Sequence, residues 1–179
     1  MIASTNTSPE LEPAPPSVYL DTGIPSRLTG RPARYLRVLR DQRITCLWWN
    51  GYRWRVKAFV SDLVVAEAGR GHPEAAQRRI DAISSLPFLE VTDEAKKLAK
   101  HILRETKLPS CATEDATHIA TAALHGMDFL LTWNCKHLAN PEILPHVRRT
   151  CKRAGVHAPE ICTPEDIIRR FKNGNRPIH

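Results

Sequence analysis

Three acidic residues stand where an active site can form, although each also has a structural explanation. Asp21 directly follows the apolar residues 18–20, which belong to a strand predicted over residues 17–22. In a parallel sheet, ligands collect at the carboxyl ends of the strands, so an acid at this point is well placed for binding. The competing interpretation of Asp21 is an aspartate that caps a turn.

Glu67 and Asp115 are both predicted to lie on helices. Leu63 and Val64 precede Glu67 by four and three positions, so the carboxylate shares a helix face with apolar side chains. Because burying an unpartnered carboxylate is costly, this pattern indicates either a structural ion pair or a metal-binding or catalytic acid. Asp115 opens the alanine-rich segment DATHIATAALHG, a slim helix that can pack closely on a sheet. There the acid complements the helix N-terminus, binds a cation, or does both.

A fourth polar residue follows another predicted strand. The apolar run over residues 129–132 leads into Trp133 and Asn134, and Asn134 offers a neutral oxygen at a strand's carboxyl end. Oxygen ligands from Asp, Glu and Asn suit Mg²⁺ or Mn²⁺ better than zinc. These side chains therefore form a candidate site for a hard divalent cation.

Strand-like and helix-like segments alternate along the chain. Strands are predicted over residues 17–22, 55–60, 88–91, 129–132 and 160–162. Helices are predicted over residues 33–49, from a cap at 61 or 62 to 68, from 73 to 86, over 93–106, from 113 or 114 to 125, over 142–154, and from a cap at 163 onward. This alternation predicts one α/β sandwich over residues 17–171 around a mostly parallel sheet. Residues 1–16 are predicted to be a disordered arm and residues 172–179 a loose tail.

Composition narrows the class of protein. The net charge of +7 favours polyanionic partners, although a basic surface without such a partner is an equally good interpretation. No apolar stretch is long enough to span a membrane, and the first sixteen residues lack the features of a signal peptide, so a cytoplasmic protein is expected. The five cysteines are widely spaced and form no CxxC pair, which indicates reduced thiols, mostly buried or half-buried.

Three motifs together resemble the PIN-domain proteins, in particular the VapC-like toxins of bacterial type II toxin–antitoxin systems. They are VYLDT near the start, VSDLVVAEAGRG in the middle, and EDATHIATAALHGMDFLLTWNCKHLANPEI near the end. The likeness extends over residues 17–171, and the third motif is its most specific part. The resemblance implies a three-layer α/β/α fold and Mg²⁺- or Mn²⁺-dependent cleavage of RNA.

The resemblance also assigns the site residues. The family's three acids fall on Asp21, Glu67 and Asp115, and the hydroxyl that follows the first acid falls on Thr22. The family frequently has a fourth acid where this chain has Asn134. Because asparagine is neutral, the site carries less negative charge than one with four acids. The implied mechanism places one metal ion on the three acids, with Asn134 as a weaker or outer ligand. Thr22 and Thr132 are then expected to orient the ligand oxygens.

Several nearby residues have two open interpretations. Arg27, Arg31 and Arg34 follow the first motif and either bind RNA phosphates or form an ordinary solvated surface. His118 lies three residues after Asp115 and is either a metal ligand or, in the better interpretation, a packed, hydrogen-bonded side chain. His137 is expected to hold the loop after Asn134 rather than to take part in catalysis.

The predicted function is a metal-dependent endoribonuclease that acts as the toxin of a toxin–antitoxin pair. Its expected partners are RNA, a cognate antitoxin protein and a second copy of the chain. One alternative is a catalytically weak PIN-like module that binds RNA or protein, because the fourth acid is missing. Another alternative is a nuclease that acts on DNA, since metal and carboxylates do not distinguish the two sugars.

Overall fold

The computed structural model describes residues 14–173, and its centre is a sheet of five parallel strands. In chain order these strands are β1 (Ser17–Leu20), β2 (Lys57–Ser61), β3 (Phe88–Leu89), β4 (Phe129–Leu131) and β5 (Glu160–Cys162). Their order across the sheet is β3-β2-β1-β4-β5, and each neighbouring pair is parallel. The prediction of a mostly parallel sheet is confirmed, and every strand in the described residues runs parallel to its neighbours.

Eight α-helices flank the sheet. They are α1 (Gly23–Thr29), α2 (Leu36–Gly51), α3 (Asp62–Ala68), α4 (Pro73–Ile83), α5 (Asp93–Thr106), α6 (Thr113–Leu124), α7 (Leu144–Arg153) and α8 (Pro164–Lys172). Helix α5 packs on α6 and α7, whereas α1 packs on α2 and α4, and α2 on α8.

The two central strands are covered on both faces. Successive side chains of a strand point to opposite sides of the sheet. All three residues from Val18 to Leu20 in β1, and all three from Phe129 to Leu131 in β4, are buried. Helices must therefore cover both faces, as parallel sheets require. The three-layer α/β/α arrangement is confirmed.

Sequence signals place most helix starts correctly. Ser61 caps α3 by accepting a hydrogen bond from the Val64 amide. Thr163 caps α8 in a reciprocal capping box with Asp166. Helix α1 is not among the predicted helices, because Pro25 close to Gly23 and Gly30 indicates a turn. Proline is tolerated in the first turn of a helix, where its missing N–H has no helical partner to lose.

Other predictions fall partly outside the described residues. The arm over residues 1–16 lies there except for residues 14–16, and the tail except for Lys172, which ends α8, and Asn173. The disorder expected for both segments stays a prediction. No helix within residues 14–173 is long and apolar enough to cross a membrane. All five cysteines are free: Cys151 and Cys162 are buried, Cys46 is half-buried, and Cys111 and Cys135 are exposed.

Candidate active site

The candidate site lies at the carboxyl ends of β1 and β4, where the strand order changes direction. The chain moves from β1 outward to β2 and β3, then returns to place β4 on the other side of β1. Leu20 pairs with Leu131, so the two strands end level with each other. The residues that follow them, Asp21 and Thr132, therefore lie side by side. Such a switch point is the usual ligand-binding position in open α/β sheets.

Asp21 is the most deeply buried of the acids, with 5% of its surface exposed. The Thr132 hydroxyl donates a 2.5 Å hydrogen bond to its Oδ2, whereas Oδ1 is buried and has no hydrogen-bond partner among the described residues. Burial raises the pKa of Asp21 to about 6, and the nearby carboxylates of Glu67 and Asp115 act in the same direction. The carboxylate is thus held in an environment that does not stabilise its charge.

Glycine at position 23 lies directly against that unpartnered oxygen. A Cβ atom at Gly23 would lie 3.0 Å from Asp21 Oδ1, which is closer than most carbon–oxygen contacts in proteins. A side chain at position 23 would therefore make the Asp21 carboxylate shift by a few tenths of an ångström.

Glu67 extends from the last turn of α3 and is held by two donors. The Thr22 hydroxyl hydrogen-bonds to its Oε2, and His118 Nε2 lies 3.1 Å from the same oxygen. Burial by itself raises the pKa of Glu67. The hydrogen bond from His118, the positive charge that His118 carries when it is protonated, and the hydrogen bond from Thr22 outweigh it and lower the pKa to about 2. Glu67 is therefore ionised at neutral pH.

Asp115, in the first turn of α6, is held at both carboxylate oxygens. Asn134 Nδ2 donates to Oδ1 over 2.9 Å, and His137 Nδ1 lies 2.9 Å from Oδ2. Asn134 Oδ1 in turn accepts from the His137 backbone N–H at 3.1 Å. Asn134 thus positions Asp115 and the following loop, and its predicted role as a metal ligand stays a prediction. His137 holds this loop as expected, and it also contacts the acid.

The predicted acids converge on one cleft of about 380 Å³. Its lining residues are Asp21, Thr22, Gly23, Arg27, Glu67, Asp115, His118, Trp133 and Asn134. Arg27 reaches this cleft, and its Nε is buried without a hydrogen-bond partner among residues 14–173. Arg31 and Arg34 are exposed and do not line the cleft. Of the three arginines, only Arg27 is placed beside the acids.

The chemistry of the cleft fits a hard divalent cation, although the ligands are not preassembled. Its donors are carboxylate oxygens, and Asp21 Oδ1 is buried without a hydrogen-bond partner among the described residues. Within the described residues, no group of three or more His, Cys, Asp or Glu side chains is arranged to hold a metal ion. Mg²⁺ commonly keeps several water ligands and uses only one or two carboxylates, so this arrangement remains compatible with it.

Tyr19 and Ser61 contact the site through His118, and the sequence analysis missed both. Tyr19 OH lies 2.7 Å from His118 Nδ1 and 2.7 Å from Ser61 Oγ, and burial raises the Tyr19 pKa well above its ordinary value. Tyr19 was assigned only to a buried strand. A tyrosine hydroxyl inside such a strand needs a buried hydrogen-bond partner, and that requirement was the available signal.

Comparison with known proteins gives a likeness of fold. No protein-family model matches the sequence, and no curated protein matches it significantly. Among solved structures, a chain of a toxin–antitoxin complex from Klebsiella pneumoniae has a TM-score of 0.50 and 22% identity, covering 82% of this chain and 97% of that one. A chain of VapBC2 from Rickettsia felis, bound to a DNA fragment from their promoter, has a TM-score of 0.49 and 14% identity, with coverage of 82% and 98%. At 22% identity, the first likeness shows a shared fold and nothing finer.

Proposed function

We propose that this chain is a PIN-domain endoribonuclease that hydrolyses RNA phosphodiester bonds with Mg²⁺ or Mn²⁺. The observation that carries the proposal is the convergence of Asp21, Glu67 and Asp115, from three separate segments, on one cleft at the switch point of the sheet. An unpartnered buried oxygen on Asp21 is costly unless a ligand binds there. The motifs that resemble PIN-domain proteins and the shared fold support the same reading.

Each acid has a distinct part in this proposal. Asp21 offers its free Oδ1 to the cation, and Thr132 fixes the other oxygen. Glu67 supplies a permanent negative charge, which Thr22 and His118 hold in place. Asp115 binds the cation either directly or through a water molecule, because both of its oxygens already accept hydrogen bonds. A bound divalent cation supplies an activated water and neutralises charge on the phosphate.

Arg27 is the proposed contact for the RNA backbone. It lies in the cleft beside three carboxylates, yet no ion pair joins it to any described acid. A guanidinium group binds phosphate oxygens through paired N–H donors. Replacing Arg27 with alanine is expected to raise the KM for RNA more than tenfold. Arg104→Ala, which removes an exposed arginine from α5, serves as the control.

The decisive experiment incubates the purified protein with total tRNA and Mn²⁺. The wild-type protein is expected to cleave, and Asp21→Asn is expected to abolish cleavage while circular dichroism shows an intact fold. Asp81→Asn, which changes an exposed acid on α4, is the matched control and should cleave normally. Undiminished cleavage by Asp21→Asn, or cleavage in excess EDTA, contradicts the proposal. Matched DNA substrates test the alternative of a DNA nuclease.

A catalytically weak binding module is the second candidate. It is favoured by Asn134 at the position of the family's frequent fourth acid and by the absence of a preassembled ligand group in the described residues. Calorimetric titration with Mn²⁺ and a nuclease assay on the same preparation separate the two candidates. RNA binding without metal uptake or cleavage identifies the binding module.

We also propose that the chain is the toxin of a toxin–antitoxin pair, acts in the cytoplasm and forms a homodimer. A solved structure that shares its fold is a chain of a toxin–antitoxin complex. A cleft lined by three carboxylates suits a cation-bearing peptide, which an antitoxin can insert. Expression of the chain alone is expected to arrest bacterial growth, and co-expression of the neighbouring gene's product to restore it. The molar mass measured by light scattering tests whether the chain forms a dimer in solution.

A further inference from the structure

A chain of buried hydrogen bonds leads from the core of the protein to Glu67. It consists of Ser61, Tyr19, His118 and Glu67, and we refer to it as the relay. Ser61 Oγ lies 2.7 Å from Tyr19 OH, Tyr19 OH lies 2.7 Å from His118 Nδ1, and His118 Nε2 lies 3.1 Å from Glu67 Oε2. Ser61 and Tyr19 are fully buried and His118 is 3% exposed, so water cannot replace these partners.

The cleft end of the relay determines where the imidazole proton lies. Glu67 Oε2 accepts the hydrogen bond of the Thr22 hydroxyl, so this oxygen acts as an acceptor. His118 Nε2 must then carry a hydrogen and donate it. In a neutral imidazole the other nitrogen, Nδ1, is an acceptor, and the only group facing it in the relay is the Tyr19 hydroxyl. The tyrosine therefore donates to the histidine.

The core end of the relay completes the same pattern. Because Tyr19 donates to His118, its oxygen is free to accept from the Ser61 hydroxyl. The Ser61 oxygen accepts the backbone N–H of Val64 as the N-cap of α3. Every donor and acceptor in the relay is then satisfied with the proton on Nε2. The tautomer protonated only on Nδ1 would instead leave its bare Nε2 facing a Glu67 oxygen that also accepts.

We propose that His118 is a positioning residue for Glu67, and that Tyr19 holds His118 in the tautomer that carries its proton on Nε2. The importance of this for RNA cleavage rests on the proposed function. A glutamate side chain loses conformational entropy when it is fixed in one rotamer. The relay and Thr22 impose that order before any ligand binds, which is the preorganisation that a catalytic carboxylate requires.

The primary test reads the tautomer directly and does not depend on activity. In ¹⁵N NMR spectra of the full chain labelled at histidine, His118 is expected to show a protonated Nε2 and an unprotonated Nδ1. Tyr19→Phe keeps the ring in the core and removes only the hydroxyl, so His118 should become a mixture of tautomers. Tyr52→Phe, in a tyrosine that stacks on Phe171 away from the relay, should leave the spectrum unchanged. A protonated Nδ1 in the wild type, or an unchanged spectrum in Tyr19→Phe, overturns the proposal.

The second test asks whether the hydrogen bond to Glu67 matters for the site. The amide nitrogen of His118→Gln can reach the position of the imidazole Nε2, whereas that of His118→Asn cannot. His118→Asn and Tyr19→Phe are expected to lower kcat about tenfold or more with little change in KM, and His118→Gln to restore much of the loss. Equal losses in Gln and Asn variants of equal stability overturn the positioning role. A wild-type protein that does not cleave RNA refutes the proposed function, while the NMR spectra still decide the relay.

Discussion

At the scale of single residues, burial of the Asp21 carboxylate makes the free energy of unfolding depend on pH. Its pKa is raised from about 3.8 to about 6 by burial, so the folded protein binds this proton more tightly than the unfolded chain does. Stability is therefore lost as the pH rises from about 4 to about 6, and the full cost, on the order of 3 kcal/mol, persists above that range.

Asp21→Asn removes this cost because the amide carries no charge. In metal-free buffer at about pH 8, the variant is expected to unfold with a free energy higher than that of the wild type by up to about 3 kcal/mol. Near pH 4 the difference should vanish, since Asp21 is then protonated in the folded protein. Urea unfolding in EDTA at both pH values measures this. A variant that is less stable than the wild type at pH 8 would show that the carboxylate is not penalised by burial.

A substitution at Gly23 is expected to change ligand binding without lowering stability. A methyl group at this position would press on Asp21 Oδ1 from 3.0 Å and occupy the space beside it. Gly23 is the first residue of α1, where alanine is the better helix former by up to about 1 kcal/mol. Gly23→Ala is therefore expected to keep or raise the melting temperature and to weaken Mn²⁺ binding at least tenfold by calorimetry. Unchanged Mn²⁺ affinity would place the cation elsewhere.

At the scale of elements, α6 must be slim because it packs against both the sheet and α5. Ala116, Ala120, Ala122 and Ala123 are all buried, and α6 contacts α5 and β4. This close packing brings Asp115 and His118 to the ends of the strands. The alanines thus set the distance between the third acid and the other two.

Ala120→Leu tests the requirement for a slim helix. Extra methyl groups in a closely packed interface force neighbouring groups to shift, at a cost of about 1–3 kcal/mol. Chemical unfolding is expected to show this loss, and cleavage should fall because Asp115 moves away from Asp21. Ala66→Leu, at an exposed position of α3, is the control and should change stability by less than about 0.5 kcal/mol. Equal stability of the two variants would show that the interface around α6 accommodates a larger side chain at position 120.

At the scale of the whole molecule, the net charge of +7 surrounds a cleft that is itself acidic. Under the proposed function, the positive charge would attract RNA through the wider surface, and Arg27 would bind the RNA backbone locally. Affinity for RNA, measured with the Asp21→Asn protein to prevent cleavage, is expected to fall at least tenfold as salt rises from about 50 mM to about 200 mM. Affinity that is independent of salt would exclude RNA binding driven by this charge.

Local sequence patterns predicted an α/β sandwich around a mostly parallel sheet and offered Asp21, Glu67 and Asp115 as candidates. The resemblance to PIN-domain proteins implied the three-layer fold and selected these three acids. Residues 17–22 read as a strand that ends in Asp21, and the alternation of strands and helices predicted a parallel sheet. Because parallel strands share one carboxyl edge, residues that follow the strands lie along that edge, and the strand order of the structure places β1 beside β4. Helix α1 was not predicted because Pro25, with Gly23 before it and Gly30 after it, indicates a turn. In the structure this helix packs on α2 and α4.

The partners of each side chain were decided only in the tertiary structure. Glu67 and His118 are 51 residues apart, and Asp21 and Thr132 are 111 apart. Such contacts depend on strand register and on rotamers, which no local pattern contains. The sequence therefore named Asp21, Glu67 and Asp115, but the fold decided that Arg27 alone among the three arginines faces them. The fold likewise turned Asn134 toward Asp115, and joined His118 to Glu67 through a relay that begins in the core.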